Sequence, residues 1–111
     1  MEDAKDTNHT IRVLIEREDD LWVAQCIEHD LATQARSLNE LHNEIQLMLI
    51  AHIRSCEERG VEPFKLRPAP KEVREKFERA LTTVTARFGL VAQDTSQLKH
   101  RLPRPESRIA A

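Results

Sequence analysis

Glycine is almost missing from this 111-residue chain, which has two. With so few, no glycine-rich loop is present to cradle a phosphate, and P-loop and dinucleotide chemistry are excluded. Cysteine is equally scarce. Cys26 and Cys56 are too few for a disulfide framework and read as free thiols in a reducing compartment. Long apolar runs are lacking as well. The longest, Leu47-Met48-Leu49-Ile50-Ala51, is far short of a membrane span, and the polar start Met1-Glu2-Asp3-Ala4-Lys5-Asp6 has no apolar segment behind it to act as a secretory signal. A cytoplasmic location is therefore expected, with no membrane partner. What remains, at 40% apolar and 32% charged residues, is the composition of one small globular domain.

The net charge of −2 conceals a division of sign. Residues 1–58 hold 5 Lys and Arg against 13 Asp and Glu, while residues 59–111 hold 12 against 6. The first part thus suits a basic partner, the second an acidic one, and the two suit each other in a homo-oligomer. The same division also arises when two charged faces merely solvate one domain.

Residues 1–9 are expected to be disordered. In Thr10-Ile11-Arg12-Val13-Leu14-Ile15-Glu16-Arg17, the residues Ile11, Val13 and Ile15 alternate with Arg12 and Glu16, the pattern of a half-buried strand. Glu18-Asp19-Asp20 supplies a turn, and Leu21 to Ile27 returns as a second strand. Leu31 to Arg36 is read as a third, and the short connections make the sheet an antiparallel meander. Ser37-Leu38-Asn39-Glu40 then has the form of a capping box. Behind it Leu38, Leu41, Ile45, Met48, Leu49, His52 and Ile53 recur at helical spacing up to Gly60, which predicts a helix over 38–59, roughly 33 Å long at about 1.5 Å per residue.

Val61 to Arg67 alternates but contains Pro63, which suits an edge strand or an extended arm. A second helix is predicted from Lys71 to Phe88, with Val73, Phe77, Leu81, Val84 and Phe88 on one stripe and Gly89 behind it. The first helix already covers one sheet face, so this stripe must pack beside that helix, cover the other sheet face or cross to a second subunit, and the stiff connection from Pro63 to Pro70 favours the last, a homodimer held by the stripe. Residues 90–111 end in a basic, proline-broken stretch read as a flexible tail whose removal leaves stability unchanged. Its Lys99, Arg101, Arg104 and Arg108 could meet nucleic-acid phosphates, yet no aromatics are interleaved for base stacking. The predicted fold is α+β, a three- to four-stranded antiparallel sheet on one long helix in the order β-β-β-α-β, plus a second C-terminal helix. The predicted division is 1–9, 10–68 for the α+β domain, 69–89 for the amphipathic helix and 90–111 for the tail.

Two stretches carry a family resemblance. Glu16-Arg17-Glu18-Asp19-Asp20-Leu21-Trp22-Val23-Ala24, followed by Thr33-Gln34-Ala35 and Ser37-Leu38-Asn39-Glu40-Leu41, resembles the N-terminal domain of HicB-type antitoxins over about residues 11–60. The resemblance implies a partially degraded RNase H fold and a protein-binding role in a toxin–antitoxin pair. Where the family has a proline- and glycine-containing segment after the second strand, this chain has Ile27-Glu28-His29-Asp30-Leu31. The DNA-binding unit of repressor members has no counterpart after Gly89, so sequence-specific DNA recognition is not expected.

No catalytic constellation emerges. Glu16, Asp19, Asp20, Glu28 and Asp30 are scattered over strand, turn and loop, whereas two-metal phosphoryl chemistry needs carboxylates converging on ions about 4 Å apart. They read instead, with the single tryptophan Trp22, as an acidic surface for a basic protein partner, which the resemblance implies is a small toxin. Cys26-x-x-His29 and His52-x-x-x-Cys56 have spacings found at zinc sites, and also those of a buried thiol with boundary histidines. The expected function is non-catalytic binding with no cofactor. The alternatives are a stand-alone structural or adaptor homo-oligomer, and a zinc-stabilised domain.

Overall fold

The computed structural model describes residues 10–80 and 98–110, together with the backbone of residues 82–84. Strand β1 spans Thr10–Glu18, β2 Leu21–Cys26 and β3 Ala32–Ala35; helix α1 spans Leu38–Arg59 and α2 Lys71–Arg79; strand β4 spans Thr82–Val84 and β5 Arg104–Ile109. The fold is α+β, as expected. Among the described residues its sheet has five strands in the order β3-β2-β1-β5-β4. The meander is antiparallel, whereas β5 pairs with β1 in parallel, Thr10 facing Arg104 and Ile15 facing Ile109.

Alternation in β1 decides which side is core. Ile11, Val13 and Ile15 are buried beside Ala24 and Cys26 of β2 and are covered by Leu41, Ile45 and Leu49 of α1. The helix forms where the sequence places it. Ser37 Oγ accepts the Glu40 amide at 3.1 Å, and Gly60, at φ 71°, ends the helix while the Val61 amide closes back on the Cys56 carbonyl at 2.9 Å.

The other face of the sheet is covered by α2. Leu14 of β1, Ile27 and Phe77 form a second buried cluster, with Val73 and Ala110 against it. Phe77 is thereby buried inside its own subunit, which corrects the reading of Val73 and Phe77 as a dimer stripe. The helix also stops earlier than predicted. Ala80 turns to extended backbone at ψ 127°, and Thr82, Thr83 and Val84 pair with β5. Three β-branched residues in a row favour the strand, whatever the spacing of Val84 relative to Phe77. Leu81 and Phe88 lie outside the described residues.

The larger correction concerns the tail. Residues 104–109 form an inner strand between β1 and β4, so this part of the segment predicted to be flexible belongs to the sheet and the boundary at residue 90 does not hold. Pro105 is tolerated near its start because β4 reaches only Ser107 to Ile109. Residues 61–67 form the extended arm and no strand. The arm is held by Asp30 N donating to the Arg67 carbonyl at 2.7 Å and Ala69 N donating to that of Ile27 at 2.9 Å.

Candidate functional site

The six residues expected to form one acidic surface are separated. Glu16 points to the α2 side, where Lys76 Nζ donates to it at 3.0 Å. Glu28 is engaged more closely still. Its carboxylate accepts from Arg12 Nε at 2.6 Å and from the Arg12 amide at 3.0 Å, and the same guanidinium reaches Glu78 at 3.0 Å. Burial alone would raise the Glu28 carboxyl, but the bonds from Arg12 outweigh it and hold the carboxyl below its usual range. Asp30 accepts from Gln25 Nε2 at 3.0 Å at the far end of β2. These three charges are tied into the fold.

The turn between β1 and β2 is different. Glu18, Asp19 and Asp20 are consecutive and exposed, and none has an ion-pair partner among the described residues. Asp19 takes the left-handed conformation at φ 55° that a two-residue hairpin connection requires, one that aspartate tolerates better than most residues. Arg17 Nε donates to the Asp19 carbonyl at 3.1 Å, and its guanidinium stacks over Trp22 at 5.0 Å from the ring centroid. Trp22 is half-buried against the α1 side of the core, its partner in register being Arg17. A carboxylate cluster beside a rigid aromatic is thus presented at one end of the molecule.

The Cys/His set does not assemble. Cys26 is fully buried in the main core, where burial first and Glu28 second push its thiol up to about 12. His52 lies 3.7 Å from Cys56 Sγ through Nε2, but that nitrogen accepts the Phe64 amide at 2.9 Å. Burial, His29 and Arg59 all favour the neutral imidazole at His52. Among the described residues no group of three or more His, Cys, Asp or Glu stands where it could hold a metal ion. Phe64 fills the space between, its ring centroid 4.8 Å from that of His52 and 5.5 Å from that of His29.

Two features were not anticipated. The guanidinium groups of Arg12 and Arg108 both lie over the Phe77 ring, 5.4 and 4.5 Å from its centroid. Glu57, near the end of α1, accepts on one oxygen from the amides of Lys99 and His100, both at 2.8 Å, with His100 Nδ1 at 2.7 Å. The His100 bond above all holds the Glu57 carboxyl below its usual range. This contact fixes a basic segment that composition alone presents as free.

No helix among the described residues is long and apolar enough to cross a membrane. Comparison with family models, with curated proteins and with solved structures gives no match.

Proposed function

We propose that the chain is a non-catalytic, HicB-like protein-binding module, antitoxin-like in action, whose hairpin tip occludes a basic ribonuclease-type partner. The carrying observation is the contrast between carboxylates. Glu16 and Glu28 have cationic partners within the fold, whereas Glu18, Asp19 and Asp20 have none among the described residues and sit beside Trp22. Three adjacent like charges on a tight turn repel one another and add nothing to folding. A basic partner would relieve that repulsion, steer to the tip through its field, and find in Trp22 an apolar anchor that keeps part of its ring accessible.

The direct test is affinity capture by the tagged chain from a lysate of its source cell, with wild type and a Glu18→Lys/Asp19→Lys/Asp20→Lys variant run side by side. The expected result is a small basic protein that cleaves RNA, present with wild type and lost with the variant. Capture of no second protein favours the stand-alone adaptor. Equal capture by the variant removes the hairpin tip from the interface.

A further inference from the structure

The end of the sheet opposite the acidic tip carries a cleft of about 300 Å³. Its walls come from three places distant in sequence: His29 after β2, Phe64 and Lys65 on the arm, and Lys99, His100 and Arg101 ahead of β5, with Glu62 and Pro63 completing the rim. An adjoining depression of about 290 Å³ shares Glu62, Lys99 and His100. The size suits a nucleotide-scale ligand.

Charge selects the ligand class. Lys65, Lys99 and Arg101 face one carboxylate, Glu62, which lies 3.9 Å from Lys65 Nζ across an exposed i, i+3 pair. Glu57 lines only the adjoining depression and its side chain is 14% exposed, turned to the amides it caps, while Asp30, next to His29, accepts from Gln25 Nε2 at 3.0 Å. The segment 99–101 is therefore anchored through its backbone while its cationic side chains remain exposed. The wall opposite is also held in place. Phe64 is a non-glycine residue at φ 60°, kept there with its amide on His52 and its ring against His29 and His52. Exposed cations on an anchored backbone at Lys99 and Arg101 and on the arm at Lys65, together with the held rings of Phe64 and His29, are the two parts of a site that reads a phosphate and stacks a base.

We propose that this cleft binds a nucleotide, free or within a single strand, with its phosphate on Lys65, Lys99 and Arg101 and its base against Phe64 and His29. The site is separate from the hairpin tip, and its test does not depend on a protein partner. Fluorescence anisotropy with a labelled ten-residue oligouridylate and calorimetry with uridine monophosphate measure the two forms of the ligand. Binding of both alike assigns the free nucleotide, and binding of the strand alone assigns the polymer. For the strand, where Lys65, Lys99 and Arg101 can each meet a separate phosphate, the slope of log K against log salt is about −2. Lys99→Glu/Arg101→Glu, both exposed and both leaving the backbone bonds to Glu57 in place, weakens binding about tenfold or more. Glu62→Gln, which removes the opposing charge, strengthens it. The proposal is overturned if neither ligand binds up to about 1 mM, or if the Lys99/Arg101 variant, folded by circular dichroism, binds as wild type does.

Discussion

Phe77 shows how much one buried ring can decide. It closes the second core over Leu14 and Ile27 and is stacked by two arginines, so its truncation removes packing and both cation–π contacts together. Phe77→Ala is expected to lower unfolding stability by about 3–5 kcal/mol at any protein concentration, measured by urea denaturation. A loss below about 1 kcal/mol, or one that appears only on dilution, would return Phe77 to a subunit interface. Glu28 makes a smaller contribution with a definite pH signature. Its pair with Arg12 is 37% exposed on both sides, so Glu28→Gln should cost only about 1 kcal/mol at neutral pH after allowance for solvent. The folded carboxyl lies below its unfolded value, so this stabilisation is complete above the ordinary glutamate range and is lost as pH falls through the folded value. The variant should accordingly lose less stability than wild type over that acid window in melting experiments. At Cys26, a thiol pushed up to about 12 within the core leaves about one molecule in ten thousand as thiolate at pH 8. Ellman's reagent should not modify Cys26 in the folded chain and should do so at once in denaturant. Rapid native modification, mapped by mass spectrometry, would contradict its placement.

Elements differ in how far local sequence determines them. Helix α1 is legible from end to end because its cap, its apolar spacing and its glycine stop agree, and the β1–β2 hairpin is legible because two alternating runs flank an acidic turn. Helix α2 is half legible. The stripe correctly marks Val73 and Phe77 as apolar and in need of cover, but spacing carries it on to Val84 through a β-branched run that pairs as β4. Strand β5 cannot be read locally at all, since Arg104-Pro105-Glu106-Ser107-Arg108-Ile109 is polar and proline-interrupted and becomes a strand only between β1 and β4. Its removal is correspondingly severe. Deleting residues 104–111 unpairs one side of β1 and takes Ile109 and Ala110 from the two cores, so the cooperative melt should be lost. A truncated chain that melts like wild type would show that these residues are a tail after all.

At the scale of the whole molecule, a run of three exposed carboxylates and a group of three exposed cations stand at opposite ends of β1. Glu16, Glu28 and Glu57 from the acidic part are drawn to basic or amide partners of the fold, whereas Glu18, Asp19 and Asp20 stand together and exposed at the β1–β2 turn. The opposite end, one length of β1 or roughly 30 Å away, gathers Lys65, Lys99 and Arg101. Asp19, Asp20 and Trp22 were legible as candidates from the turn and the lone aromatic. The cleft was not, because it depends on the arm and the segment before β5 converging across more than thirty residues. The central claim is that the acidic tip binds and occludes a basic ribonuclease, and it is tested most directly by an inhibition titration. RNA cleavage by the captured partner is followed as wild-type chain or the Glu18→Lys/Asp19→Lys/Asp20→Lys variant is added. The account predicts that wild type abolishes cleavage near stoichiometric addition and that the variant needs at least about a hundredfold more, in line with the loss of close interfacial charge pairs. Equal inhibition by the two chains, or none by wild type, would contradict it.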